Sequence, residues 1–383
     1  MTTPRETVAS TLNYSEFTYA YDRPQCSAVL KQEYADFQVD EIIGFEFSES
    51  GKHLCLQIQK TNKTTVEVAK TIARIYQVKL RDIGYAGMKD RRGVCTQWFS
   101  VLKNTRDRVD PNKLESDNTV VLKVRNNDRK IRRGSHRANA FRIRLRQFQG
   151  SEDDLRDRVV KVKTLGVPNY FGPQRFGKNM SNVKRAIGYF DNPANSLHKP
   201  RRDRLQHSMM LSAARSFLFN KILSQRVKNN SWAQILAGEV LSLDGTSRFF
   251  VPSPDDEFRA GGKDGKATNA LSLKQELQAR LSNLDIHPSG LLFGKIKSAD
   301  KYLAHATVKS LETEVVSRYP ELCQGLLRMK VSSARRALRL VPRNLSFKMA
   351  DSNTVELEFT LTTGGYATAV LRELCLTEEP GVS

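Results

Sequence analysis

The chain of 383 residues is poor in cysteine and histidine and short of acid. Its five cysteines, Cys26, Cys55, Cys95, Cys323 and Cys375, are scattered, odd in number and without a C-x-x-C spacing. That excludes a disulfide framework and a zinc site, and leaves free thiols in a reducing cytoplasm as the expectation. The six histidines show no ligand spacing, so no metal is assigned. No apolar run approaches the roughly 18 residues that span a bilayer, and the polar opening Met1 to Glu6 lacks a signal-peptide core. A cytoplasmic protein without a membrane partner is expected. There is no G-x-G-x-x-G to cradle a cofactor, as a methyltransferase would need, and no G-x-x-x-x-G-K-[ST], as a kinase-like enzyme or ATPase would need.

What the chain has in excess is positive charge. Its 62 Lys and Arg against 41 Asp and Glu give a formal charge of +21, which implies a polyanionic partner, by default nucleic acid. Charge selects the partner and says nothing about catalysis. The surplus is concentrated between Lys123 and Arg146, where eleven residues are Lys, Arg or His and Asp128 is the one acid. Arg132 and Arg133 lie in this run. Further on, Phe141, Ile143 and Leu145 alternate with Arg142, Arg144 and Arg146, so a strand here shows one apolar and one cationic face. Such a face can track a phosphate backbone, or it can simply be solvated.

Length and a 39% hydrophobic content allow two or three domains of about 150 residues each. Residues 1 to about 28 show no periodicity and are expected to form an irregular arm. Strands are expected around Phe37 to Ile43 and Leu54 to Ile58. A helix should follow, opened by the capping-box pair Thr64 and Glu67 and carrying Val66, Ala69, Ile72, Ala73 and Tyr76 as its apolar stripe. Further strands are expected at Ile83 to Ala86, Thr96 to Leu102 and Thr119 to Val124, with helices at Glu152 to Leu165 and Asn182 to Phe190. Asp191 to Arg204 reads as a basic linker. Beyond it come a helix over Ser208 to Val227, a Gly-rich break at Ala260 to Gly265, and a helix opened by Ser272 with Gln275. Val355, Leu357, Phe359 and Leu361 alternate as a returning strand, and residues 376 to 383 read as a frayed tail.

Two stretches stand out chemically. In Ile83-Gly-Tyr-Ala-Gly-Met-Lys-Asp90-Arg-Arg-Gly-Val94 a carboxylate stands in a loop among Lys89, Arg91 and Arg92, with Gly87 letting the backbone leave the strand sharply. This is either a charged turn or a nucleophile or base kept ionised beside a polyanion. Asn169-Tyr-Phe-Gly-Pro-Gln-Arg-Phe-Gly177 holds three aromatics and two glycines in nine residues. It is either a packed turn or a stacking face for a base taken out of a helix.

Taken together, Gly84 to Asp90 with Gln97-Trp98, and Asn169 to Gly177, resemble the tRNA pseudouridine synthase D (TruD) family. Lys31 with Asp36-Phe37-Gln-Val39-Asp-Glu41 resembles the family's first motif, and Leu211-Ser-Ala-Ala-Arg215 a later one. Arg335 to Leu345 and Tyr366 to Glu373 resemble its C-terminal segment. Tyr34 and Thr64 depart from it, standing where proline and asparagine are usual. The resemblance implies a mixed α/β (α+β) catalytic core with a largely antiparallel sheet, residues 1–194 and 341–383, interrupted by an inserted α/β domain at 195–340.

It also implies isomerisation of uridine to pseudouridine in tRNA, at position 13, with no cofactor, by a monomer. Asp90 occupies the position of the family's catalytic aspartate. Phe171 would stack on the uracil, and Asn169 would hydrogen-bond near the carboxylate or the base. Lys31 would keep Asp90 ionised and oriented. Glu41, Gln97, Arg175, Arg372 and Glu373 fall inside matched motifs with structural roles as open as direct ones. The cations expected to hold RNA are Arg132, Arg133, Arg142 and Arg144. The alternative is a non-catalytic RNA-binding or RNA-folding protein, which has no need of Asp90 among its cations, because an acid there repels phosphate.

Overall fold

The expected strands form, and they form one sheet. The computed structural model describes residues 12–103, 110–191, 203–252, 267–297 and 302–380. In chain order these give β1 (Ser27–Leu30), β2 (Phe37–Ile43), β3 (His53–Thr61), α1 (Thr65–Ile75), β4 (Gly84–Tyr85), β5 (Val94–Leu102), β6 (Thr119–Asn127), β7 (His136–Gln149) and α2 (Glu152–Leu165). Then come β8 (Val167–Pro168), α3 (Pro173–Phe176), α4 (Ser181–Asp191), α5 (Asp203–Lys228), β9 (Leu241–Leu243), β10 (Phe249–Phe250) and β11 (Ile286–Leu292). The chain closes with β12 (Ala334–Ala337), β13 (Arg339–Leu340), β14 (Arg343–Asp351), β15 (Thr354–Thr362) and β16 (Leu376–Glu378). It divides into two compact units, passing from one to the other after residues 23, 163, 341, 367 and 373.

The unit made of 24–163, 342–367 and the residues from 374 on is built on a ten-stranded sheet of order β14-β15-β7-β2-β5-β3-β6, with β1, β16 and β4 attached beside it. All pairings are antiparallel except β2 with β5 and β1 with β16. Register explains why the alternation of β7 is legible. Phe141 lies opposite Val39 and Phe359, and Ile143 opposite Phe37 and Leu357, so three strands put their apolar rows on one face. Phe141 stacks on Phe359 with centroids 5.3 Å apart. A one-residue slip would turn all three rows to solvent.

Helix α1 starts where the capping box places it. Thr64 Oγ1 accepts from the Glu67 N–H at 3.1 Å, and Glu67 accepts from the Thr64 N–H at 2.6 Å. Thr64 thus serves as a cap, a role open to asparagine as well. Val68, Ala69, Ile72 and Ala73 bury the helix on Leu56, Ile58, Phe99 and Val101 of β3 and β5. Ile72→Ala would cost about 2–5 kcal/mol by opening that contact.

The other unit holds the four-stranded sheet β10-β9-β11-β12, the two-stranded pair β13-β8 and the helices α3 to α5. Further helices span Ala267–Ser282, Ala306–Ser317 and Pro320–Arg328. The first of these begins five residues before Ser272, so that serine does not open it. The domain boundary drawn near 195, most of the 191–204 linker and the 260–265 Gly-rich break lie outside the described residues. The long middle segment of this unit runs from 164 to 341.

Two expectations about the chain's ends are corrected. The described part of the arm is a piece of core: Phe17 is 1% exposed and stacks on Tyr170 at 5.5 Å, and Arg372 holds its carbonyl at 2.7 Å. Of the expected tail, Leu376–Glu378 is strand β16, which runs parallel to β1 in the register Ser27 with Leu376. Aperiodic polar sequence hid both, because three residues cannot show a period and an arm docked by single aromatics has none. All five cysteines are free. Among the described residues no helix is long and apolar enough to cross a membrane.

Candidate active site

Asp90 lies in the loop between β4 and β5, half-buried, on a backbone that can take few other paths. At Gly93 φ is +155° and an added Cβ would come within 2.6 Å of the Phe37 carbonyl oxygen, so only glycine fits there. At Gly87 an added Cβ would lie 3.2 Å from His136 Cε1, a tight contact that the ring would have to yield to. That ring is buried, and desolvation together with the neighbouring Lys89 charge lowers its pKa, favouring the neutral ring.

The flanking cations do not hold the Asp90 carboxylate. Lys89 turns inward and its ammonium lies 2.6 Å from Glu41 of β2, both side chains being at most 4% exposed. The other Glu41 oxygen accepts the Trp98 N–H at 3.0 Å, so strand β5 and the loop share one carboxylate. The Lys89 N–H donates to Thr65 Oγ1 at 2.9 Å, Thr65 donates to Gln97 at 2.8 Å, and Gln97 donates to the Gly87 carbonyl at 3.3 Å. Glu41 and Gln97 are therefore the loop's scaffold. Arg92 donates to the carbonyl of Pro380. The Asp90 carbonyl receives Lys60 Nζ at 2.6 Å and, more weakly, Cys95 Sγ at 3.5 Å. Among the described residues the Asp90 carboxylate itself has no hydrogen-bond or ion-pair partner. The result is a carboxylate on a braced backbone, available to a ligand.

Lys31 is fully buried at φ +58°, its ammonium 3.1 Å from Glu379 and 4.4 Å from the centre of the Phe37 ring. Its carboxylate partner is thus the segment after β16, not Asp90. Sequence alone hides Glu379, which stands in the stretch that reads as a tail, and does not single out Lys60. A signal for Lys60 existed: it continues the period-two row Leu54, Leu56, Ile58 of β3, which marks it as inward-facing.

The basic run separates into two groups. Arg142 and Arg144 do project from one face of β7, half exposed, but Arg142 lies 3.1 Å from Asp40 and Arg144 2.7 Å from Glu356. Arg146 is held by Asp36 at 2.8 Å. The local deficit of acid is made good across the sheet by β2 and β15, which a run of sequence cannot display. Arg132 and Arg133 are exposed on the loop before β7, and that loop is tied to the strand leading to Asp90. The Gly134 N–H donates to the Ala86 carbonyl at 2.7 Å, and Arg133 lies 3.2 Å from the Tyr85 hydroxyl.

Asn169 and Phe171 belong to the other unit and are close to one another there. Asn169 has both ends of its amide in use, Oδ1 accepting from Arg336 at 2.5 Å and Nδ2 donating to the Ala337 carbonyl at 2.9 Å. Phe171 is 7% exposed, with the Arg336 guanidinium 4.2 Å from its ring centre and Phe219 at its edge. Asn220 clasps its backbone, accepting its N–H at 2.9 Å and donating to its carbonyl at 3.0 Å. Arg175 donates to Ser212 at 3.1 Å. Arg372 and Glu373, buried and 3.3 Å apart, hold the backbone of residues 17 to 20. Among the described residues no group of three or more His, Cys, Asp or Glu is gathered for a metal ion.

A family model described as tRNA pseudouridine synthase D (TruD) matches residues 14–190 and 199–374. Among curated relatives, a tRNA pseudouridine synthase D from Nitrosococcus oceani is 41% identical over 363 residues that cover 94% of each chain. One from Methylococcus capsulatus is 38% identical over 361 residues, again 94% of each. A crystal structure of a candidate tRNA pseudouridine synthase D from Methanosarcina mazei superposes with a TM-score of 0.65 at 20% identity, covering 93% of this chain and 95% of that one. That likeness is one of fold, a mixed α/β architecture with largely antiparallel sheets.

Proposed function

The chain belongs to the tRNA pseudouridine synthase D family, and from that premise we propose that it isomerises uridine 13 of tRNA to pseudouridine with Asp90 as the working carboxylate. The reaction class is that of an isomerase: the bond from N1 to C1′ breaks, the uracil turns, and C5 bonds to C1′ while its proton leaves. A carboxylate suits it twice over, since it can capture an anomeric carbon or take up a proton. The observation that supports Asp90 is the division of labour in its loop. Lys89, Glu41, Thr65 and Gln97 brace one another, and the acid in their midst is left unengaged.

Phe171 is proposed to stack on the displaced base, with Asn169 holding the loop that carries it. Arg132 and Arg133 are the cations best disposed to meet phosphates beside the Asp90 loop. Any phosphate at Arg142 or Arg144 has to share them with Asp40 and Glu356. Lys31 is proposed to serve the site from beneath β2 rather than as a direct partner of Asp90. The chain is expected to act as a monomer without a cofactor.

The test is Asp90→Asn, which removes the charge and keeps the size. Release of tritium from C5-labelled tRNA should fall below detection while filter binding of tRNA stays the same or tightens. Clear residual turnover by the folded variant would defeat the assignment. Loss of binding together with turnover would point to a passive RNA-binding role for the loop.

A further inference from the structure

Lys60 is an ammonium that stability alone does not account for. It is 0% exposed, at the end of β3, with Cys95 of β5 directly across the ladder and Thr119 of β6 on its other side. An ammonium has three protons to donate and loses much hydration when buried. Here it finds one carbonyl, that of Asp90 at 2.6 Å, and the Cys95 thiol. Among the described residues no carboxylate stands within ion-pair distance of it. Lys89, the residue before Asp90, shows the other solution, a carboxylate of its own. An apolar side chain of similar volume at 60 would avoid the desolvation altogether, and such replacements are often neutral or stabilising.

We propose that Lys60 is a positioning residue for the isomerisation: its buried ammonium pins the Asp90 carbonyl and supplies, from below, the positive charge that faces the unpartnered Asp90 carboxylate. This rests on the reading of Asp90 as the working carboxylate. The geometry ties the two functions together, because the same nitrogen anchors the backbone of Asp90 and lies within electrostatic reach of its side chain. Cys95 completes the arrangement, its thiol reaching the same carbonyl at 3.5 Å and so keeping the oxygen aimed at the interior. During the reaction the uracil must detach and turn while the carboxylate keeps its place. A misplacement of about 1 Å can cost about 100-fold in rate. A carboxylate without side-chain partners depends on its backbone for that precision.

The experiment compares Lys60→Met, which keeps most of the volume, with Lys60→Gln, which keeps a donor but no charge, and Lys60→Ala. Lys60→Met should lower kcat about 100-fold with the KM for tRNA within about threefold, since the residue acts through Asp90 and touches no RNA. Lys60→Gln should fall between it and wild type. Lys60→Ala should regain turnover with ethylammonium or propylammonium and not with propanol, a response that a general loss of packing does not give. Unchanged kcat in Lys60→Met beside an inactive Asp90→Asn would overturn the role of Lys60 and leave that of Asp90. An active Asp90→Asn would instead remove the underlying reading. If neither Lys60→Met nor Lys60→Gln folds, or if Lys60→Ala folds but amines restore nothing, the residue is structural and the proposal is wrong.

Discussion

In the loop around Asp90 it is the backbone that is tied down, by Lys60 on a carbonyl and by the Thr65 and Gln97 side chains on its neighbours, while the acid is left unengaged. In the loop around Phe171 the side chains themselves are occupied, Asn169 at both ends of its amide and Phe171 under the Arg336 guanidinium. Two motifs of similar specificity in the sequence thus spend their polar groups differently. One leaves a carboxylate unengaged on a braced support, and the other is mostly support. The lesson is that a motif's residues should be sorted by whether the fold has already used them.

The sharpest way to break this contrast is to compare neighbours. Asp90→Asn should unfold in urea within about 0.5 kcal/mol of wild type, as substitutions without lost partners do, although its turnover is gone. Lys89→Met, one residue earlier, leaves the buried Glu41 carboxylate without its cation and should lose about 3–5 kcal/mol. Equal losses in the two variants would erase the distinction. In the other loop Asn169→Ala leaves Arg336 and the Ala337 carbonyl short of partners and should cost about 1–3 kcal/mol of stability. Phe171→Leu removes the aromatic face at similar volume. If a base stacks there, kcat/KM should drop by a factor corresponding to about 1–3 kcal/mol, and an unchanged value would make Phe171 a core residue only.

A subtler effect concerns pH. Burial lowers the pKa of Lys60 in the folded protein below its ordinary value, so between the two values the unfolded chain binds more protons and stability rises with pH. The penalty of the buried charge is present below the folded pKa and is relieved as pH climbs toward the unfolded value. Urea unfolding at pH 7.5 and 9.5 should show wild type gaining on Lys60→Met as pH rises; parallel curves would show that Lys60 carries no such penalty. The smallest change is expected from Arg142 and Arg144. Each phosphate contact adds somewhat less than one to the log–log salt slope of RNA binding. Neutralising Arg132 and Arg133 should flatten that slope more than neutralising the carboxylate-paired Arg142 and Arg144, and the reverse order would place RNA on the β7 face.

Much of this was legible in the sequence where the signal is local. The rows of β2, β3, β7 and β15, the Thr64 cap and the Asp90 motif all announce themselves within a dozen residues. What stayed hidden depends on register between distant strands. The acids that neutralise Arg142 and Arg144 come from β2 and β15, and whether Lys89 faces Asp90 or Glu41 is decided by which residue of β2 lies beneath the loop. Period two marked Lys60 as inward-facing, yet only the close approach of the Asp90 carbonyl shows what it meets. The start of the helix at Ala267 stays hidden for another reason: the residue before it is Lys266, which is no capping type and gives no starting signal.

The pairing of β1 with β16 sets Ser27 beside Leu376, and just past the two strands Lys31 reaches Glu379, 348 residues further on. On a ribosome this sheet cannot be finished when its first strands emerge. One edge of β1 can pair with β7 early, but the other edge waits until β16 has been translated, and contacts of such sequence separation are the slow ones in folding. A nascent chain would carry β1 with an open edge and Lys31 without its acid for most of its synthesis, the kind of unpaired edge that invites aggregation or chaperone capture. Among the described strands the last to be made is therefore the one that closes the first, and a bulky insertion directly after β16 would interfere with that pairing.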